Sequence, residues 1–261
     1  RMLEVLNTGK PIIADLWELN GKYQIGSRVP ILSDGRIIGA LGISIFRYKD
    51  EAQSFARRVD QMFSELKYYK EEMRKIFGAK YSLSAIIGES QAISEVKEMV
   101  KIVAPLNNPV LIYGETGTGK ELFAHAIHQE SSRREGPFIR VNCAGIPDNL
   151  LESELFGYEE GAFTGARKGG KPGKFELANN GSILLDEVSE LSWMAQAKLL
   201  RALQENEIER VGSTEIIPVN VRVISATNVP LNELVTQGKF RKDLFFRLNA
   251  FNLKIPPLSE R

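Results

Sequence analysis

PVLIYGETGTGKE, residues 109–121, joins an apolar run to a glycine-rich loop and a lysine. The pattern predicts a buried strand over Val110–Tyr113, a tight loop over 114–119 and a helix over Lys120–Gln129 opened by the lysine. Gly114, Gly117 and Gly119 let backbone N–H groups turn inward, with Glu115, Thr116 and Thr118 between them. The positive end of the helix and the Lys120 ammonium add charge, so the loop suits the β and γ phosphates of a nucleotide. One position departs from the general pattern. The Ser or Thr that ordinarily follows the lysine and ligates Mg²⁺ is Glu121.

The 261 residues, 43% hydrophobic, suffice for one large domain or one domain plus pieces. No apolar run approaches the roughly 18 residues of a membrane span, and the opening RMLEVLNTGK is no signal peptide. A start on Arg1 suggests a piece of a longer chain. A net charge of +1 gives no general electrostatic reason for tight nucleic-acid binding. Cys143 stands alone, which excludes an internal disulfide and a cysteine-based zinc site. It reads as a small buried hydrophobe, and a reducing cytoplasm fits.

Near the amino end, extended stretches at 22–32 and Arg36–Phe46 flank Ser33, Asp34 and Gly35, a hairpin signal. The runs VLNTGKP, NGKYQIGSRVPI and SDGRIIGALGISI resemble the C-terminal half of a PAS sensory domain; a hairpin without a ligand is the other reading. From 51 to 77 there is no glycine or proline. Apolar residues at Ala52, Phe55, Val59, Met62, Leu66, Tyr69, Met73 and Ile76 alternate by three and four, a coiled-coil seam of about three and a half heptads. A parallel dimer is the natural inference, and an amphipathic helix packed on its own chain is the competitor. Gly78 ends the helix, and SAIIGES at 84–90 leads into a helix over Gln91–Val103.

Beyond the loop, strands are expected at Phe138–Asn142, Ser182–Asp186, 219–226 and 251–255, with helices at Asp148–Phe156 and 195–205. Such alternation argues for a parallel α/β sheet covered on both faces. SILLD delivers Asp186 and Glu187 to a strand end, beside the phosphate loop if the two strands are neighbours. Asp186 would hold Mg²⁺ and Glu187 would orient the attacking water, unless the pair only caps the next helix. Between Phe156 and Phe175, six glycines forbid a continuous helix and leave Phe163 with little to pack against. A loop that exposes an aromatic and a threonine suits a contact surface better than a connector.

In order, GETGTGKE, ELFGYEEGAFTGA, LLDE, ATN, FRKDLFFRLNAF and IPPL resemble the central AAA+ domain of bacterial enhancer-binding activators of sigma-54 RNA polymerase. The match covers roughly residues 84–261, and Glu121 is usual in that family. The resemblance implies an AAA+ core that binds ATP and Mg²⁺, with Lys120, Asp186 and Glu187 catalytic and Asp186 on the metal. It implies a sigma-54 contact at Gly161, Ala162, Phe163, Thr164, Gly165 and Ala166, supported by a second loop near Arg210 to Ser213. Asn142 matches the residue that holds the Walker B glutamate, here Glu187, away from water. Thr227 and Asn228 match a sensor, and Ile87 and Gly88 match residues lining the adenine site. Arg241 and Arg247 match arginine fingers supplied to a neighbouring subunit; without the motif, either reads as a surface charge. His125 and His128 read as structural.

The expected organisation is therefore a PAS-like remnant at 1–48, a coiled-coil linker at 49–80 and an AAA+ domain at 84–261. The resemblance further implies a dimer through the linker, a hexameric ring when active, and DNA contact only through a helix-turn-helix domain beyond Arg261. Because a helical lid would also follow IPPL, low turnover is expected of these 261 residues. The competing functions are a AAA+ ATPase acting on another protein and a nucleotide-gated scaffold without turnover.

Overall fold

The computed structural model describes residues 2–19, 22–46 and 49–261, and the chain divides into two compact units, 1–71 and 72–261. In the first, helix α1 (Met2–Thr8) precedes an antiparallel sheet of β1 (Ile12–Leu19), β2 (Lys22–Ser33) and β3 (Arg36–Phe46), in that order. Asp34 and Gly35 have φ of 51° and 77°, the left-handed pair that a two-residue hairpin turn requires, and Ser33 pairs with Arg36 across it. The sequence reading omitted α1 and β1, whose alternation is irregular; Ala14, at φ 54°, interrupts the register between Ile12 and Asp15. Asn20 and Gly21 of the NGKYQIG run lie outside the described residues.

Helix α2 runs over Lys49–Phe77, two residues earlier than expected. Phe55, Met62, Leu66, Tyr69, Met73 and Ile76 of its seam are exposed. The Gly78 amide donates to the Arg74 carbonyl at 2.7 Å and closes the last turn.

In the second unit, α3 (Gln91–Val103) leads to β4 (Val110–Tyr113) and α4 (Lys120–Gln129), followed by β5 (Phe138–Asn142) and α5 (Asp148–Phe156). A short ladder of β6 (Gly157–Tyr158) and β7 (Lys171–Pro172) brackets the glycine-rich loop and leads into α6 (Lys174–Leu177) and β8 (Ser182–Asp186). Next come α7 (Trp193–Gln204), the hairpin of β9 (Glu207–Glu209) and β10 (Ile216–Pro218), β11 (Arg222–Thr227), α8 (Leu231–Thr236), α9 (Lys242–Leu248) and β12 (Phe251–Lys254). Helix α7 starts two residues early because the Ser192 hydroxyl caps it, accepting from the Ala195 amide at 3.3 Å. Strand β11 starts three residues late: the Val219 amide is bound to the Asn206 carbonyl and belongs to the hairpin.

Five parallel strands form the sheet in the order β12-β4-β11-β8-β5. This corrects one expectation, since β4 and β8 are not neighbours and β11 lies between them. The strand pleat feeds two cores: Ile183, Leu185 and Val223 face one, while Leu184, Ile224 and Ala226 face the other. Each such Ile or Leu, fully buried, contributes about 1.5–3 kcal/mol. Arg222, at the root of β11, is 1% exposed and donates to the carbonyls of Ala104 (2.5 Å) and Val103 (2.8 Å). These carbonyls end α3, where the Val103 carbonyl also accepts from the Leu106 amide at 3.1 Å, and the buried cation supplies donors that the terminating helix lacks. Burial and the nearby Arg133 draw its pKa down to about 10.

His125 and His128 are core residues, as expected. His125 Nδ1 accepts from the Lys80 amide at 2.9 Å and its ring packs on Tyr81 and Phe138, while His128 Nδ1 meets the Ser182 hydroxyl at 2.9 Å. Burial lowers the His128 pKa to about 4 from 6.5. The unfolded chain therefore takes up this proton first, and stability is lost as pH falls from 6.5 towards 4, by about 3 kcal/mol for this group. Urea midpoints should be steady above pH 7 and fall steeply below pH 6, and less steeply in His128→Gln.

Candidate functional site

The phosphate loop grows out of β4 where only small residues fit. A Cβ on Gly114 would lie 3.0 Å from Thr118 Oγ1 and 3.1 Å from Ile255 Cβ. Gly117 and Gly119 have φ of 82° and 79°, left-handed conformations that turn the chain onto the helix. The Thr118 hydroxyl donates to the Glu115 carbonyl at 2.7 Å and braces the loop. Lys120 is 7% exposed, and its ammonium donates to the carbonyls of Gly114 (2.9 Å) and Glu115 (3.3 Å). It is thus held over the mouth of the loop by weak, exchangeable partners. Beside it, Glu121 pairs with Arg140 at 2.6 Å.

Strand β11 brings the next groups. The Gly114 amide donates to the Thr227 carbonyl at 3.2 Å, the buried Thr227 hydroxyl bonds the Val229 backbone, and Asn228 Nδ2 donates to Thr116 Oγ1 at 3.1 Å. A side chain at the end of β11 therefore rests on the phosphate loop itself. One strand farther on, Asp186 ends β8 opposite Asn142 of β5. Burial raises the Asp186 pKa, against the Glu187 amide and the Lys120 charge, which lower it. Its Oδ1 accepts from the Glu187 amide at 3.1 Å. A half-buried carboxylate, costly to ionise alone and aligned with a phosphate lysine, fits the hard oxygen donor that Mg²⁺ prefers. Among the described residues, no cluster of three or more His, Cys, Asp or Glu is placed to cage an ion.

Glu187 has φ 50° and ψ 52°, a left-handed conformation that costs a non-glycine residue roughly 1–2 kcal/mol. The Asn142 amide oxygen accepts from the amides of Ala144 (3.0 Å) and Gly145 (3.2 Å). The carboxylates of Asp186, Glu187 and Glu190 reinforce burial in pushing the Cys143 thiol up to about 12, which keeps it an unreactive hydrophobe.

Two clefts flank the loop. One of about 600 Å³ is lined by Ala92, Val96 and Met99 of α3, by Tyr113, Gly114 and Glu115, and by Pro256 and Pro257. The other, about 460 Å³, contains Glu121, Arg140, Asn142 and Asp186.

The glycine-rich loop is clamped at its base and open at its tip. Arg210 bonds Glu159 at 2.8 Å and Glu176 at 2.7 Å. Burial acts to raise the Glu176 pKa, but hydrogen bonds from Arg210 and the Gly173 amide outweigh it and hold the carboxyl low. The Glu159 amide donates to the Val211 carbonyl and the Val211 amide to Gly157, so 210–213 is knitted to the base. A Cβ on Gly212 would strike Ala162 at 2.8 Å. Gly161 and Gly165 have open space around them, whereas Phe163, 40% exposed, packs on the Tyr158 ring at 5.0 Å. The expectation that Phe163 finds little to pack against is corrected to that extent.

Residues 86–254 match the Sigma-54 interaction domain. The chain belongs to that family. It is 45% identical over 221 residues to a signal-transduction and transcriptional-control protein of Clostridium beijerinckii, covering 84% of this chain and 35% of that one. It is 55% identical over 176 residues to a Nif-specific regulatory protein of Rhizobium leguminosarum bv. trifolii, covering 67% and 50%. NtrX from Brucella abortus, in complex with ATP, superposes with a TM-score of 0.63 at 35% identity, over 81% of this chain and 44% of that one. The chain thus spans a third to a half of the length of these curated relatives.

The core of this sigma-54 interaction domain is a five-stranded parallel α/β sheet. The other residues that the sequence singled out lie apart from the loop. Ile87 is 89% exposed, Gly88 has φ 137° and its carbonyl accepts from Lys97, and neither residue lines the larger cleft. Arg241 precedes α9 and pairs with Asp243 at 2.8 Å; Arg247, in the last turn, donates through Nε and Nη2 to the Leu203 carbonyl (3.1 and 2.8 Å). Sequence reasoning missed Arg261, which donates to the Thr118 carbonyl at 2.6 Å and buttresses the phosphate loop of the domain. It also missed Arg140, the partner of Glu121. No local pattern announces either contact.

Proposed function

We propose that this chain is the ATP-hydrolysing part of a transcription activator that remodels the sigma-54 RNA polymerase–promoter complex through its loop at 161–166. One observation carries the reading. The domain joins a phosphate loop, held to β11 through Asn228 and Thr116, to an exposed Phe163–Thr164 tip whose base is clamped by Arg210. A nucleotide-driven shift of the sheet edge has a braced route to that tip.

In this mechanism, loop amides and the positive end of α4 bind the phosphates, and Lys120 exchanges the carbonyls of Gly114 and Glu115 for phosphate oxygens. Asp186 would hold Mg²⁺, which would supply positive charge against the phosphates. Glu187 orients and polarises the attacking water. Asn142 restrains Glu187 through its Nδ2 donors, while its amide oxygen is held by Ala144 and Gly145. Thr227 and Asn228 sense the γ-phosphate, the larger cleft takes the base with Ile87 and Gly88 closing on it from outside the cleft lining, and Arg241 and Arg247 act on a neighbouring subunit. Because the fingers come from a neighbour, the active form is a ring, which the seam of α2 regulates by pairing chains; the PAS-like unit sets that pairing. DNA is reached only through a further helix-turn-helix domain, and the setting is cytoplasmic. Among the described residues, no helix is long and apolar enough to cross a membrane.

The test is capture of purified sigma-54 by the intact protein, with ADP plus a metal fluoride and with ADP alone. Capture is expected only with the transition-state mimic, and Thr164→Ala should abolish it while leaving nucleotide affinity within about twofold, since Gly161 to Ala166 touch no phosphate-loop residue. Equal capture in both states, or none by a protein that binds nucleotide and forms rings, would leave an ATPase of another target.

A further inference from the structure

The proposed trans-acting arginine is not a loose surface side chain. Arg241 Nε and Nη2 donate to the two oxygens of Asp243 at 3.1 and 2.8 Å, a side-on fork. Its guanidinium carbon lies 5.6 Å from the centre of the Trp193 ring. Its own amide is tied to Gln196 Oε1 at 2.8 Å, and the Gln196 side-chain nitrogen in turn donates to the carbonyls of Leu191 and Lys239. Backbone, charge and ring therefore fix the guanidinium from three sides. The side-on fork leaves the Nη1 edge free, as a second fork for phosphate oxygens. Trp193 is 54% exposed and Phe246 is 63% exposed beside it, so neither aromatic is held there by core packing.

We propose that Asp243 and Trp193 are positioning residues for the reaction: they hold Arg241 with its free edge presented to the nucleotide of an adjacent subunit. The inference rests on the ring-forming ATPase reading above. An arginine with many rotamers must lose that freedom on reaching a phosphoryl group, and a side chain already fixed in plane loses less. The gain falls on turnover and not on ground-state nucleotide affinity, because the nucleotide is held mainly by the loop of its own subunit.

The experiment is steady-state ATP turnover by the intact, ring-forming protein. Asp243→Asn keeps the helix-start acceptor, now bonded by the Leu244 amide at 2.8 Å, but removes the charge. It is expected to lower kcat about tenfold with KM for ATP within twofold. Trp193→Ala should lower kcat several-fold, and Trp193→Phe should restore most of it, since any aromatic face can stack on a guanidinium. These 261 residues hold two tryptophans, so when they are used alone in a Trp17→Phe background Trp193 is the one emitter; its emission should change alike in Arg241→Ala and Asp243→Asn. Turnover unchanged in Asp243→Asn and Trp193→Ala, or a fall carried by KM, would overturn the assignment. So would equal activities of Trp193→Ala and Trp193→Phe. Arg241→Ala separates the layers. If it abolishes turnover while the two positioning variants leave kcat unchanged, the finger stands and its cradle fails; if it is active, the finger reading fails with it.

Discussion

Arg247→Ala is expected to reduce ATP turnover by about 10³-fold or more, the usual worth of an arginine finger, while ATP binding to the single chain stays near its starting value. Within its own chain, Arg247 spends Nε and Nη2 on one carbonyl, that of Leu203, near the end of α7. A carbonyl there lacks a helical partner, so the same variant should also cost about 1 kcal/mol of stability. Arg247→Lys separates the two roles. Lysine reaches the Leu203 carbonyl with one donor but offers no planar fork, so melting should recover and turnover should stay at least about 100-fold low. Turnover that recovers together with the melting temperature would show that Arg247 only tethers α9 to α7.

Glu187→Gln should lower turnover by about 10²–10⁴-fold without weakening ATP binding. Glutamine keeps the size of the side chain and its left-handed backbone but cannot polarise water. ATP itself should then act as a lasting trap, and sigma-54 capture, otherwise seen only with a metal fluoride, should appear with ATP. Stopped-flow phosphate release and equilibrium nucleotide titration read the two halves separately. A variant that hydrolyses ATP normally would reduce Glu187 to a turn residue before the short helix at Val188–Glu190.

The phosphate loop and the ends of β4, α4, β5, α5 and β8 were legible because each is written in adjacent residues. A buried run, a glycine turn and a helix start need no knowledge of the rest of the chain. Strand order is not local, so nothing in SILLD says that residues 222–227 will pass between it and the phosphate strand. The same reason hid the arginines. Arg222 finds Ala104, Arg261 finds Thr118 and Arg210 finds Glu159 and Glu176, each across many residues of intervening chain. The bonds of Asn142 were hidden although they are local: its amide oxygen accepts from Ala144 and Gly145, which nothing in the strand pattern announces. The exposure of the tip at 161–166 was readable from its glycines, and the resemblance pointed to a supporting loop near Arg210 to Ser213, but the carboxylates that Arg210 grips were not readable.

The position of β11 in the sheet has a consequence for synthesis. As the chain leaves the ribosome, β4 and its phosphate loop appear first and β5 and β8 follow, yet only the last two can pair on arrival. Strand β4 has β11 on one side and β12 on the other, and both are made after all of them. Until residue 227 has emerged, β4 is an apolar segment with two bare edges, the kind of surface that invites aggregation or a holding chaperone. Arrival of β11 then joins β4 to β8 and docks Arg222 under α3, and β12 covers the remaining edge of β4. The nucleotide cradle is therefore encoded early and assembled late.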